Sequence, residues 1–113
     1  MSTDHVIKRN GIIVPFDRHR IENAIFAAAR VVGNGEGRQW AETMSWAVVG
    51  ILEERFGQNG HCPHVEEIQD TVESVLIKSG SSRIAKEYIL YRYERARARE
   101  AEHMLLDADE LVD

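Results

Sequence analysis

The sequence predicts an α+β domain that is mainly α: a four-helix, bundle-like body capped by a small N-terminal antiparallel β element. Three observations carry that reading. Four segments repeat apolar residues at three- to four-residue spacing, with glycine-rich breaks between the first three. Two short apolar runs flank Asn10-Gly11 near the N-terminus. The chain has 113 residues, enough for one core and too few for two.

Residues 6–9 and 12–16 read as a hairpin. Asn10-Gly11 suits a two-residue type I′ loop, in which both positions need positive φ. In that register Arg9 faces Ile12 and Ile7 faces Val14, while Lys8 faces Ile13 and Val6 faces Pro15 on the opposite side. Lys8 and Arg9 then alternate across the strand, so both reach one point only if the hairpin end twists. Pro15 cannot donate a ladder bond, so the second strand ends there or lies at an edge. A two-stranded hairpin is marginal alone and must lie on the helices or gain another strand.

Asp17 is a good N-cap for a first helix over 18–32, whose stripe is Ile21, Ala24, Ile25, Ala28 and Val32. Gly33-Asn34-Gly35 ends it. A second helix is expected over 38–56, with Trp40, Met44, Ala47, Val48, Ile51, Leu52 and Phe56 toward the core; Gly57-Gln58-Asn59-Gly60 is a loop. A third helix over 64–79 follows Pro63. Glu66, Glu67 and Asp70 crowd its first turns, which suits the positive end of a helix dipole. Its stripe is Val65, Ile68, Val72, Val75 and Leu76. Gly80 is the expected C′ residue, and Ser81 or Ser82 caps a fourth helix from 82 to about 103. Ile84, Tyr88, Tyr91 and Arg95 share one of its faces. Residues 104–113 read as an acidic tail or linker.

With 43% hydrophobic and 29% charged residues, the chain is expected to be soluble and globular. No apolar run approaches the roughly 18–20 residues that span a bilayer. The first five residues lack the apolar core of a signal peptide. Cys62 is the one cysteine, so no internal disulfide forms. A cytoplasmic location is the expectation, with no membrane partner.

The formal net charge is −5, but it is unevenly spread. Glu100, Glu102, Asp107, Asp109, Glu110 and Asp113 have no cation among them. Without them, 14 basic side chains meet 13 acidic ones in residues 1–99. Arg92, Arg95 and Arg99 recur on one face of the fourth helix and repel unless anions or carboxylates answer them; Glu87, Glu94 or the tail are candidate partners. A sequence pI of about 5.5 argues against nucleic acid as the main ligand.

No nucleotide-hydrolysing loop, dinucleotide fingerprint, nucleophile elbow or H-E-x-x-H motif is present. His61-Cys62-Pro63-His64 crowds three ligand types too closely for a tetrahedral zinc site, and Cys62 lacks an activating partner. No catalytic residue and no metal site is expected. What remains is Lys8-Arg9-Asn10-Gly11 followed by Arg20 in the first turn of a helix. From the residues alone, this is either an ordinary solvated hairpin end or a clamp for phosphate, in which Lys supplies a point charge and Arg a fork. Arg20 is equally an exposed surface arginine or a cation beside helix N–H groups.

Three separated stretches decide between these. Val6-Ile7-Lys8-Arg9-Asn10-Gly11, continuing through Phe16-Asp17 and Arg20-Ile21, resembles the V-x-K-R-[DN]-G opening of the ATP-cone family. Val65-Glu66-Glu67-Ile68-Gln69-Asp70-Thr71-Val72-Glu73 is similar to its third-helix signature, and Ala85-Lys86-Glu87-Tyr88-Ile89-Leu90-Tyr91-Arg92 to its end. The resemblance covers residues 5–99, with the cone domain placed at 1–103. It is strongest to cones of anaerobic glycyl-radical and B12-dependent ribonucleotide reductases. Asn10 departs from the commoner Asp of the turn.

The resemblance implies an allosteric domain that binds ATP or dATP, with Mg2+, and regulates a ribonucleotide reductase through nucleotide-dependent assembly. Lys8, Arg9, Arg20 and Arg95 would hold triphosphate oxygens, the first two at the Asn10-Gly11 turn. Val6, Phe16, Ile21 and Ile68 would line the adenine side. Asp17 would read a base edge, and Gln69 would lie near the ribose. Implied partners are the nucleotide, a second copy of the chain, and a catalytic or radical-generating subunit or the remainder of a longer reductase. Alternative functions are a regulator of reductase genes lacking its four-cysteine zinc ribbon, a small nucleotide-hydrolysing enzyme, and a helical interaction domain that needs no nucleotide.

Overall fold

The computed structural model describes residues 4–33, 35–57 and 62–112, with side chains through 102. Two strands, β1 (His5–Ile7) and β2 (Ile13–Pro15), precede α1 (Arg18–Val32), α2 (Arg38–Leu52), a π-helical turn (Glu53–Gly57), α3 (Val65–Lys78) and α4 (Ser82–Val112). This is the expected mainly α arrangement with a small β cap. Asn34, the 58–60 loop positions and His61 lie outside the described residues.

The hairpin differs from its predicted register by one residue. Val6 pairs with Val14, Ile7 with Ile13 and His5 with Pro15. The loop is Arg9-Asn10-Gly11: Gly11 N–H donates to Lys8 O at 2.9 Å, and Lys8 N–H to Ile12 O at 2.8 Å. Gly11 has φ 86°, whereas Asn10 has a negative φ. This is a type I turn followed by a glycine bulge, not a type I′ turn. The bulge confines positive φ to glycine, which bears no Cβ penalty. Asn10 instead uses its side chain, accepting from Ile12 N–H at 3.0 Å. Because side chains alternate, the slip exchanges faces. Val6 and Val14 now share the half-buried face.

The hairpin also gains the support it needs. Ile7 N–H donates to Pro63 O at 2.9 Å, and Ile7 forms a parallel bridge with His64. The residues leading into α3 thus extend the β element, while Val6 and Phe16 pack on the helical core.

Asp17 caps α1 as expected, accepting from His19 N–H at 3.0 Å. Gly33 closes the helix in the left-handed region at φ 70°. The buried stripe of α2 is Ala41, Ser45, Val48 and Leu52. Trp40, Met44 and Ile51 flank it, half-buried, and Ala47 is exposed. Small residues at the centre of the contact allow α1 and α2 to approach closely, which turns the bulkier neighbours to the sides. The α-helix stops at Leu52, and the π-turn carries the buried Phe56. At the end of α3, Ser81 N–H donates to Leu76 O and Gly80 N–H to Ile77 O, a Schellman closure with Gly80 at C′. Ala85 N–H donates to Ser81 O, placing Ser81 at the N-cap of α4. That helix continues past the predicted end near 103 to Val112. The alanines, glutamates and leucines there are strong helix formers, and weak amphipathic periodicity does not stop a helix.

Ile25, Val48, Leu52, Leu76 and Ile84 are completely buried and come from all four helices. One core therefore holds the bundle together.

Candidate functional site

The hairpin, the start of α1 and the first turns of α3 supply the predicted site residues except Arg95, which lies on α4. Val6, Phe16, Ile21 and Ile68 all join the same core cluster. Ile21 and Ile68 are nearly closed to solvent, at 8% and 7% exposure, while Val6 and Phe16 form its half-buried margin. An apolar wall thus lies behind the hairpin.

Lys8 occupies the last position before the loop and is exposed, its side chain with no hydrogen bond or ion pair among the described residues. Arg9 opens the loop and reaches α3. Its Nη1 bonds Glu66 Oε1, and its Nη2 donates to Gln69 Oε1 at 3.2 Å. The guanidinium is therefore already held on both arms. The strand-alternation problem is also relieved, because Arg9 sits in the loop rather than on the ladder. Asn10 and Gly11 shape that loop. Asp17 is engaged as the α1 cap, with His19 Nδ1 also 3.3 Å from its Oδ1. Arg20 N–H donates to Asp17 O at 3.1 Å. Its side chain is exposed and without an ion pair among the described residues.

Arg95 lies exposed on α4, which packs along α1. It too lacks an ion pair among the described residues. No hydrogen bond among the described residues joins it to the hairpin end, and α4 packs on α1 and α3. Arg92 behaves differently from the expectation of pairing with Glu87, Glu94 or the tail. Its Nη1 bonds Asp70 Oδ1 at 2.8 Å and Glu73 Oε1 at 2.7 Å, both on α3. Burial opposes its charge, but the hydrogen bonds to Asp70 and Glu73 and the charges of these two carboxylates together raise its pKa.

A second polar cluster was not foreseen from the sequence. Arg18 Nη1 donates to Glu22 Oε1 at 2.8 Å and to Ser45 Oγ at 2.5 Å. Arg38 Nη1 donates to Glu22 Oε2 at 3.1 Å and to Asn23 Oδ1 at 2.6 Å. Arg18 also stacks 4.5 Å from the Trp46 ring, and Arg38 4.2 Å from Phe26. Glu22 and Ser45 are buried. The Arg18 hydrogen bond holds the Glu22 carboxyl below its ordinary pKa, against the opposing cost of burial, with Arg38 adding to the effect. This cluster clasps α1 to α2. The i, i+4 spacing of Arg18 and Glu22 was the available signal. Its depth was invisible, because it depends on where α2 lies.

A groove between α1 and α4 is lined by Ala24, Ala27, Ala28, Val31 and Tyr91, with Glu87 and Glu94 on its rim. Tyr91, expected on the face of Ile84 and Tyr88, is 49% exposed, whereas those two are buried. The acidic rim is the wrong sign for a phosphate. Among the described residues, no three His, Cys, Asp or Glu side chains cluster as a metal site, and no helix is long and apolar enough to cross a membrane.

The family model for the ATP cone domain matches residues 4–97. The vitamin B12-dependent ribonucleoside-diphosphate reductase of Thermoplasma acidophilum is 39% identical over 111 residues, covering 94% of this chain and 14% of that protein. The enzyme of the same name from Mycobacterium tuberculosis (strain CDC 1551 / Oshkosh) is 40% identical over 106 residues, with the same two coverages. The anaerobic ribonucleoside-triphosphate reductase of Salmonella typhimurium is 34% identical over 98 residues, covering 87% of this chain and 13% of that protein. These relatives are much longer proteins, and the chain spans about a seventh of their length. Their similarity, the family match and the hairpin-on-helices fold agree: the chain belongs to the ATP cone family, the regulatory module of ribonucleotide reductases.

Proposed function

We propose that this domain binds ATP or dATP at the hairpin end and so regulates a ribonucleotide reductase. The observation that carries the reading is the contrast between cations and apolar wall. Lys8, Arg20 and Arg95 are exposed with no ion pair among the described residues, whereas Val6 and Phe16, on the hairpin and just before α1, are half-buried. Uncompensated cations favour a polyanion, and the first turn of α1 adds N–H groups and a positive dipole end. Arg9 supplies a fork for two phosphate oxygens. Val6 and Phe16 offer the base an apolar surface, with buried Ile21 and Ile68 in the core cluster behind them. Gln69 lies beside Arg9, where it can reach the sugar. Asp17 keeps a free carboxylate oxygen direction for a base edge while capping α1. Asn10 and Gly11 hold the loop in shape. Mg2+ would be held chiefly by the triphosphate itself, the usual arrangement for that ion.

The domain is a binding module in this reading, not a nucleotide hydrolase. ATP and dATP bias the reductase by binding different assembly states with different affinity. They differ by one ribose hydroxyl, so the surroundings of that hydroxyl or the number of ligands bound must discriminate. The partners are a second copy of the domain and the remainder of a reductase chain or its subunit.

Calorimetry with ATP, dATP, ADP and GTP tests the site. At 100 times Kd, ligand should stabilise the fold by about 2.7 kcal/mol. Arg20→Ala should weaken ATP binding by about 1.5–3 kcal/mol, the range for charge-assisted hydrogen bonds. Arg9→Ala should weaken it less, because its bond to Glu66 must first be displaced. If both variants bind ATP like the parent, the clamp is wrong. Light scattering with and without dATP then tests assembly, and unchanged mass would count against it. An interaction domain that needs no nucleotide would show no nucleotide-induced thermal shift. Arg92 weighs against that alternative, because Asp70 and Glu73 already neutralise part of the arginine face.

A further inference from the structure

We propose that Glu66 is an internal competitor for Arg9, an autoinhibitory carboxylate that the phosphates of a bound nucleotide displace; this rests on the nucleotide-site reading above. The two arms of the Arg9 guanidinium are both occupied by α3, one by the Glu66 carboxylate and one by the Gln69 carbonyl oxygen. A phosphate that takes the same fork must remove at least one of them. Glu66 is the only charged group of the two, so it is the one a polyanion replaces in kind.

The surroundings make the exchange easy. The Arg9 and Glu66 side chains are 37% and 50% exposed. Ion pairs at such exposure contribute little, so breaking one imposes a small barrier. Arg18–Glu22 shows the alternative, at 13% and 9% exposure, where little solvent screens the pair and Arg38 and Ser45 add further bonds to it. Glu66 also lies in the first turn of α3, where a carboxylate is favoured by the helix dipole whether or not Arg9 is present. It therefore has a stable place to remain after release. The neighbouring Glu67 is not a substitute, since its Oε1 accepts from His64 N–H at 2.9 Å.

The competition also links ligand to shape. The Arg9 bonds tie the hairpin loop to α3 beyond the Ile7 contacts with residues 63 and 64. Once a triphosphate holds Arg9, Glu66 faces a like charge and the tie is broken. Ligand binding thereby changes how the loop is attached to α3.

The test is calorimetric titration of ATP and of tripolyphosphate into the parent chain, Glu66→Gln, Glu66→Ala, Arg9→Ala and the Arg9→Ala/Glu66→Gln double variant, in EDTA and again with Mg2+. Circular dichroism melts verify that each is folded. The proposal expects the Glu66 variants to bind ATP about three- to fivefold more tightly than the parent, the scale of an exposed ion pair. It also expects most of that gain to vanish in the Arg9→Ala background. Unchanged or weaker binding by both Glu66 variants overturns it. So does an equal gain without Arg9, which would indicate bulk charge alone. A loss confined to the Mg2+ titrations overturns it in favour of Glu66 as a metal ligand. If the parent binds neither ATP nor tripolyphosphate, the nucleotide-site reading itself fails and this proposal with it. If the parent binds ATP normally and Glu66 is indifferent, only the competitor role is lost.

Discussion

Arg18 and Arg20 lie two residues apart at the start of α1 and have opposite surroundings. Arg18 is pressed against α2, bonded to Glu22 and Ser45 and stacked on Trp46. The Arg20 side chain is exposed and has no hydrogen bond or ion pair among the described residues. An arginine whose charge is answered inside the molecule holds helices together. One left unanswered is available to a ligand. The same division separates Arg92, tied to α3, from Arg95, three residues further along α4 and unpaired among the described residues.

The sharpest way to break this comparison is to truncate both members. Arg18→Ala should lower stability in urea unfolding far more than Arg20→Ala does, because it removes the contacts to Glu22, Ser45 and Trp46 and leaves the Glu22 carboxylate to Arg38 alone. Arg20→Ala should change unfolding by less than about 0.5 kcal/mol, as for other surface sites, and act on ATP affinity instead. If Arg20→Ala destabilised the fold as much as Arg18→Ala, the division would collapse.

The pH dependence of the clasp gives a second test. The folded-state pKa of Glu22 is held below its unfolded value near 4.5. The stabilisation is therefore complete above that value and disappears as pH falls through the lower, folded one. Melting temperatures of Glu22→Gln should fall less steeply on acidification than those of the parent. Equal acid limbs would remove Glu22 from the clasp.

Asp17 sharpens the comparison where the two roles meet in one residue. Asp17→Ala should cost about 1 kcal/mol of stability as a lost N-cap, and Asp17→Asn almost none, since Asn caps as well. If Asp17 also reads a base, Asp17→Asn should shift the preference between ATP and GTP at unchanged stability. An unaltered preference would leave it as a cap only.

The smallest effect at neutral pH should come from Tyr88, whose hydroxyl pKa burial pushes up to about 12 from 10.0. Its contribution is intact below 10.0 and is lost as pH rises toward 12. Tyr88→Phe should flatten the alkaline limb of a pH-stability curve in that window and leave the acid limb unchanged.

Local chemistry made much of this legible. Asp17, Gly33 and Gly80 marked helix ends because capping and positive φ depend on neighbours in sequence. The stripe of α3 was readable because Ile68, Val72, Val75 and Leu76 repeat at helical spacing and all become buried. The hairpin was recognisable, but its register was not. Asn10-Gly11 permits both a type I′ turn and a bulged type I turn, and choosing between them involves the Asn10 side chain and the docking of Ile7 on residues 63 and 64.

The candidate site divides in the same way. The sequence by itself determined the helices, their caps, the single core and the set of cations near the hairpin. These follow from periodicity, turn chemistry and composition, all of which act over a few residues. Only the tertiary structure decided which cations remain open to solvent. Arg9 meets Glu66 and Arg92 meets Asp70 and Glu73 across intervals of 57, 22 and 19 residues. A charge is neutralised by whatever the fold places beside it. That placement depends on how α3 and α4 pack, not on any spacing along the chain.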